Sequence, residues 1–277
     1  MKYFRPKRGM DFLSTTGLLA TPPKYFTDRL EFSPKIRCGN PRARARKQFA
    51  TIFLSPEYFE NNPTHFPAVS TFKQLRSYAR RHKSQLLKQF EGDISLSDSD
   101  TEDNVPELVS QLYGVICFSD DGLIPEMWEE YASSQTGLVV DFRQNHPPFT
   151  GRSFLEVDYS DERVSYDASA TSDHERVRQF IRRKQIKYLH ERESRLIVPL
   201  DITRPRDTKE GLRYFYPIEP ELVISVTLGL RATPQFKGEV IAELQARFPN
   251  RVTLFEVRPG PNSLLTRVQV ENSAMTT

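Results

Sequence analysis

Cysteine is scarce in this chain of 277 residues, which contains only Cys38 and Cys117. Two cysteines so far apart argue against a disulfide framework and against a zinc site, and they favour a reducing, cytoplasmic setting. No hydrophobic run approaches the roughly 20 residues that span a bilayer, so no membrane partner is expected. The basic N-terminal stretch MKYFRPKRGMDF is not followed by an apolar segment, so it is not predicted to be a secretory signal.

Several motifs with known chemistry are also missing. Neither GxxxxGK[ST] nor GxGxxG occurs, so the phosphate loops that depend on glycine are absent. HExxH, paired CxxC and GxSxG are absent too, and the five histidines are scattered without metal-ligand spacing. These absences argue against the standard kinase, hydrolase and zinc-enzyme classes and predict no metal. The net charge of +3 does not by itself predict nucleic-acid binding.

The pattern of apolar residues predicts strands and helices that do not alternate strictly. Such a mixture favours a single α+β domain over residues 1–261, with a mixed sheet flanked by helices and a polar tail at 262–277. Short apolar runs bounded by turns predict the strands, at 2–4, 113–119, 137–142, 154–160, 194–200, 221–230 and 251–258. Helical periodicity or proline in a first turn predicts the helices, at 10–17, 71–90, 125–133, 173–190 and 234–247.

Two charged segments lie between these elements. Residues 91–107 are acidic, rich in serine and poor in apolar side chains, which predicts a mobile acidic insertion. Before it, residues 42–47 and 73–88 are dense in Lys and Arg. They are either solvated surface or one surface for RNA, DNA or an acidic partner. A non-catalytic binding module that uses this surface is therefore an alternative function.

The stretch HERESRLIV at 190–198 places charges at the mouth of an apolar strand. If Glu191 and Glu193 are both in the strand, their side chains point the same way and repel each other unless a cation such as Arg195 intervenes. The stretch is then either an edge-strand ladder of ion pairs or part of a functional site.

Three segments together resemble the uncharacterised prokaryotic family known as domain of unknown function 2971. The resemblance covers about residues 2 to 230, and it departs where Thr27-Asp28-Arg29 replaces the family's Asn-Asp-Pro. It implies a bacterial protein, with a role as a toxin-like or anti-phage effector. The residues that carry it are Lys2, Tyr3, Arg5, Cys117, Phe118, Ser119, Met127, Trp128, Tyr131, Ala132, Gly137, Phe142, Lys184, Tyr188, Glu191, Glu193 and Arg195.

The order of the polar residues is similar to that in ADP-ribosyltransferases, in which an early cation, a middle hydroxyl and a late glutamate act on NAD. This resemblance implies an ADP-ribosyltransferase-like α+β fold and a transferase or an NAD glycohydrolase. Arg5, Ser119 and Glu193 fill these places. The resemblance implies that Glu193 is the catalytic carboxylate, that Glu191 and Arg195 support it, and that the acceptor is a protein or a nucleic acid. It also implies an NAD-binding role for Arg5, which would hold the dinucleotide, and for Ser119, which would hold the ribose.

Three aromatic residues complete the predicted NAD-binding set. Tyr3 lies in the first predicted strand, two residues before Arg5. Trp128 and Tyr131 share a helix face because they lie three positions apart. The two are predicted either to contact the dinucleotide or to pack in the core.

Overall fold

The computed structural model describes the chain except for residues 27, 29–30, 33–34, 38–39, 63–68, 152, 164, 168–172, 210, 249–251, 262–263 and 271–277; at 35–37, 96–103, 165–167 and 173–176 it describes the backbone alone. The chain divides into two compact units. Unit 1 comprises Met1–Phe32, Pro106–Glu162 and Val177–Thr277, and unit 2 comprises Ser33–Val105 and Arg163–Arg176. The stretch between Ser33 and Val105 contributes a separate hydrophobic cluster to unit 2, and the prediction of a single domain over residues 1–261 stays a prediction.

Unit 1 is built around a mixed five-stranded sheet. Its strand order is β1, β5, β13, β14, β15, and only the pairing of β13 with β14 is parallel. The predicted mixed sheet of an α+β fold is thus confirmed. The strands are β1 (Lys2–Phe4), β5 (Leu138–Phe142), β13 (Val223–Leu228), β14 (Thr253–Pro259) and β15 (Leu265–Gln269).

Smaller sheets complete unit 1. One antiparallel sheet has the order β4, β10, β6, a second has the order β11, β12, β2, and β7 pairs with β9 in parallel. These strands are β2 (Gly17–Ala20), β4 (Tyr113–Ser119), β6 (Phe154–Glu156), β7 (Asp158–Tyr159), β9 (Arg183–Lys184), β10 (Glu193–Pro199), β11 (Arg204–Thr208) and β12 (Gly211–Pro217).

Of the α-helices in the described part of the chain, three lie wholly within unit 1, and two others run from one unit into the other along the sequence. Proline stands in the first turn of each of the three, where its missing N–H costs no hydrogen bond. None of the helices in the described residues is both long and apolar enough to cross a membrane. The three are α1 (Pro6–Thr15), α6 (Pro125–Glu130) and α8 (Pro234–Arg247), and the two that cross are α5 (Lys83–Leu112) and α7 (Asp173–Ile181).

The described residues of unit 2 form short helices and a small two-stranded sheet. Phe49 and Phe53 pack with Leu75 and Ala79 in its core. A capping box of Thr71 and Gln74 starts α4 by satisfying backbone N–H groups that no helical carbonyl reaches. Its elements are α2 (Pro41–Leu54), α3 (Pro56–Asn61), α4 (Phe72–Arg81) and the parallel pair β3 (Lys35–Arg37) and β8 (Ser165–Asp167).

The structure differs from the sequence predictions in the charged segments. Residues 91–107, predicted as a mobile insertion, lie within α5. The apolar stripe of the preceding helical sequence continues into this segment and buries Ile94. The predicted polar tail includes β15, which pairs with β14; residues 271–277 lie outside the described residues. The predicted helix at 173–190 ends at Ile181, and β9 and a 3-10 helix follow it.

Gly137 permits a close approach between β1 and the turn before β5. A Cβ atom placed there would lie 2.0 Å from the carbonyl oxygen of Phe4, far inside van der Waals contact. We expect Gly137→Ala to lower the free energy of unfolding by about 1–3 kcal/mol, because rigid backbone has to move. Chemical denaturation measures the loss. Gly238→Ala, at a position in α8 with open space around the added atom, is the control and should not destabilise the protein.

Candidate functional site

Two residues with opposite charges lie on the same face of β10, where this strand begins to pair with β4. Glu193 pairs with Ser119 and Arg195 with Cys117, at the end of the antiparallel ladder. Since alternate residues of a strand share a face, Glu193 and Arg195 point the same way. Arg195 Nε donates to Glu193 Oε1 at 2.7 Å, and the Arg195 side chain is completely buried. The strand therefore begins with an ion pair removed from water.

Glu191 reaches the same place by a different route. It ends a 3-10 helix (Ile186–Glu191), and Arg192 follows in the left-handed region with φ 46°. Only Glu193 is in β10, so the condition for a shared strand face, that both glutamates lie in the strand, is not met. Ser119 Oγ donates to the Glu191 carbonyl at 2.7 Å, which ties the 3-10 helix to the end of β4.

Lys184 joins the two carboxylates. Its Nζ lies 2.6 Å from Glu191 Oε2 and 2.6 Å from Glu193 Oε2, so these two oxygens are no more than twice that distance apart. Glu31 adds a third carboxylate, in contact with Arg195 and 3.8 Å from Lys184 Nζ. The ion network of Glu31, Lys184, Glu191, Glu193 and Arg195 is buried and carries three negative and two positive groups. The ammonium group of Lys184 lies at the centre of this network, close to all three carboxylates.

The environment drives the pKa values of the two paired glutamates in opposite directions. Burial alone would raise the pKa of Glu193, but the charges of Arg195 and Lys184 outweigh it and lower that pKa to about 2. Burial raises the pKa of Glu191 above its ordinary value, despite the charge of Lys184. Ionised Glu193 therefore stabilises the fold above a pH of about 4.3, and this contribution is lost as the pH falls towards 2.

A cavity of about 520 Å³ opens onto this network. Glu31, Lys184, Glu191 and Glu193 all line it. Tyr131, which is 41% exposed, donates from its hydroxyl to Glu191 Oε1 at 3.1 Å. Other walls of the cavity are aromatic or cationic, formed by Tyr3, Tyr25, Phe26, Tyr188, Phe215, Lys2, Arg5 and Arg8. The cavity thus combines carboxylates, rings and cations within the size range of small-molecule sites.

Six of the eight residues predicted for the site line this cavity. They are Tyr3, Arg5, Ser119, Tyr131, Glu191 and Glu193. Arg195 lies behind Glu193 and does not line the cavity. Of the Thr27-Asp28-Arg29 segment, Asp28 lines the cavity, whereas Thr27 and Arg29 lie outside the described residues.

Trp128 is the clearest departure from the predicted site. Its ring is fully buried, packs edge-on against Tyr3 with centroids 5.4 Å apart, and donates from Nε1 to the Gly122 carbonyl at 2.9 Å. This is the core packing that the sequence left open as an alternative, and it does not present the ring to a ligand. Ser119 lines the cavity, but its hydroxyl already contacts the backbone carbonyls of Glu191 and Asp121.

The sequence singled out Lys184 only within the family resemblance and gave no role to Glu31. Lys184 reaches the network from β9, and Glu31 is 164 positions from its partner Arg195. Local spacing gives no signal for such contacts. The available signal was charge balance, since on an extended strand Arg192 faces away from Glu191 and Glu193, and Arg195 alone leaves one carboxylate without compensation.

No protein-family model, curated protein or solved structure matches this chain. The resemblance to the family of domain 2971 therefore rests on the residues quoted for it. An ADP-ribosyltransferase-like fold is not supported by these comparisons, and the α+β class is what the structure shows.

Proposed function

We propose that the protein cleaves the N-glycosidic bond of NAD and transfers ADP-ribose to water or to a macromolecular acceptor. The observation that carries this proposal is the close pair of carboxylates on one cavity wall, with pKa values displaced in opposite directions. Pairs of titratable groups separated in this way are typical of sites in which one group stays ionised and the other exchanges a proton.

The proposed step assigns each carboxylate a role. The bond between ribose C1′ and the nicotinamide nitrogen breaks, and its electrons leave with the neutral nicotinamide. Ionised Glu193 stabilises the positive charge that develops on the ribose. The attacking hydroxyl forms a bond to C1′ and gives its proton to Glu191. Both carboxylates have several acceptor positions, so their contacts with Lys184 leave capacity for these roles.

The rest of the cavity suits the remaining parts of a dinucleotide. The Arg5 guanidinium is exposed and makes no hydrogen bond or ion pair with the residues that the structure describes, which leaves it able to bind a phosphate. The rings of Tyr25 and Tyr188 line the same cavity and offer flat surfaces for a base. Lys184, which bridges the two carboxylates, and Arg195, which lies behind Glu193, hold them in position.

Nicotinamide release from NAD by the purified protein tests the proposal directly. The reaction is run without acceptor, with denatured nucleic acid and with a protein lysate, so that hydrolysis and transfer are distinguished. Label from adenylate-labelled NAD on protein or nucleic acid would identify the acceptor class. A folded protein that neither releases nicotinamide nor transfers label in any of these mixtures would contradict the proposed function.

The pH dependence of turnover should report Glu191. Only its ionised form accepts a proton, and its pKa is raised by burial. Turnover should therefore fall on the acid side with an apparent pKa above the value of about 4.3 for an unperturbed glutamate. Glu191→Gln should lower kcat on the order of 100-fold and remove this acid limb. An unchanged limb in Glu191→Gln would assign the proton transfer to another group.

A further inference from the structure

We propose that the exposed face of α4 binds single-stranded nucleic acid. The surface consists of Lys73, Arg76, Tyr78, Arg80, Arg81 and His82, and is called the α4 surface below. This proposal goes beyond the glycosidic chemistry and does not depend on it, because every residue of the α4 surface belongs to unit 2.

The first observation is the excess of positive charge in and around α4. Residues 41–90 contain ten Lys and Arg but only Glu57 and Glu60 as acidic residues. Within α4, Lys73, Arg76 and Arg80 lie at positions i, i+3 and i+7, which places them on one stripe about 10 Å long. Lys73, Arg80 and Arg81 are exposed and make no ion pair within the part of the chain that the structure describes. A row of uncompensated cations matches the repeating charge of a phosphate backbone.

The second observation is that an aromatic ring pair is exposed at the C-terminal end of α4. Tyr78 is 43% exposed, and its ring lies 4.6 Å from that of His82 one turn further along. At about 100° per residue, Arg81 lies on the exposed side of α4 between this pair and the stripe of Lys73, Arg76 and Arg80. Exposed rings next to a row of cations provide stacking surfaces for unpaired bases, which a duplex would keep inside its stack. This combination favours a single strand over a duplex.

The opposite face of α4 excludes a lipid surface as the occupant. Leu75 and Ala79 are buried in the core of unit 2 against Phe49 and Phe53 of α2. A helix that lies in a membrane interface needs its apolar face free to enter the lipid. In α4 that face is already covered, so only the polar face is left to bind a partner.

Binding of labelled single strands to the full chain tests the proposal. Fluorescence anisotropy with thymidine and uridine oligomers of about 20 nucleotides, over a series of salt concentrations, gives both affinity and its salt dependence. Tighter binding of one oligomer would distinguish DNA from RNA, and either result supports the proposal. An equivalent duplex and heparin serve as competing polyanions.

Two variants separate charge from stacking. The triple variant Lys73→Gln, Arg76→Gln, Arg80→Gln should weaken binding at least about tenfold and make the slope of log K against log salt about 2 units shallower. Tyr78→Ala should weaken binding about tenfold and leave that slope unchanged. The matched control replaces three exposed cations of unit 1 by glutamine, at Arg204, Lys209 and Arg231, and should bind as the parent does.

Circular dichroism of each variant tests whether α4 is intact. Glutamine is used because it is a good helix former. Three results would each overturn the proposal. These are no binding by the parent at 50 mM salt, equal losses in the triple variant and its control, and tighter binding of duplex or heparin with no effect of Tyr78→Ala. None of them bears on nicotinamide release, so the two proposals fail separately.

Discussion

Replacement of Glu193 by glutamine should reduce nicotinamide release on the order of 100-fold to 1,000-fold. Glutamine keeps the shape of the side chain but removes the charge that is proposed to stabilise the developing cation on ribose. Because the pKa of Glu193 is lowered to about 2, the carboxylate is ionised throughout the neutral range. The loss should therefore be nearly independent of pH above about 5. The measurement is kcat at saturating NAD for the parent and the variant.

The Glu193→Gln experiment needs a control that distinguishes the loss of a catalytic group from a general disturbance of the ion network. Glu31→Gln changes a carboxylate of the same network, which contacts Arg195 and lies near Lys184. It perturbs the packing of these charges without altering the pair assigned to the reaction, so its effect should stay within about tenfold. Both variants are assayed well below their unfolding midpoints. If Glu31→Gln and Glu193→Gln lower kcat equally, the role of Glu193 is structural and not catalytic.

Replacement of Arg195 by methionine should destabilise the fold by about 3–5 kcal/mol. The substitution keeps an apolar stem of similar length, but it leaves Glu31 and Glu193 buried with one fewer cation, and breaking a buried pair on one side is costly. The Ile181 carbonyl also loses the N–H that Arg195 donates to it. For a chain of this size the midpoint of thermal unfolding should fall by roughly 10 °C. Calorimetry and urea denaturation both measure the change.

Arg206→Met is the matched control for that experiment. Arg206 pairs with Asp11 at 3.1 Å, but both side chains are about one-third exposed, so the pair should contribute no more than about 1 kcal/mol. The double variant Glu193→Gln, Arg195→Met should be less destabilised than the sum of the two single changes, because each removes the partner of the other. Additive effects, or equal midpoints for Arg195→Met and Arg206→Met, would contradict a coupled buried pair.

The sequence predicted those elements whose own composition decides their structure. The strand at 113–119 is confirmed as β4, since an apolar run closed by the Asp120-Asp121-Gly122 turn specifies both its length and its end. The helix from Pro125 is confirmed as α6. In contrast, β11 reads Arg-Pro-Arg-Asp-Thr and is mostly exposed, so only its pairing with β12 makes it a strand. Its composition gives no such signal.

In the candidate site, too, the sequence reveals contacts between residues that are close along the chain but not those that the fold brings together. The unusual charges of Glu191, Glu193 and Arg195 are visible in one short run, and they do come together. Their arrangement was not predictable, because Lys184 and Glu31 approach from other parts of the fold. Trp128 and Tyr131 share a helical stretch, yet one ring enters the core and the other reaches the cavity. Only the packing around them decides between these two positions.

The alternation of side chains along β10 has a consequence for folding as well as for chemistry. Glu193 and Arg195 face the ion network, whereas Leu196 packs in the apolar core with Ile116 and Val198. A slip of one residue against β4 would exchange the two faces and drive both charges into hydrocarbon. Each unpaired charge would then cost several kcal/mol, so misaligned pairings should be rejected early. The buried charges thus mark the one strand alignment from which the cavity is assembled.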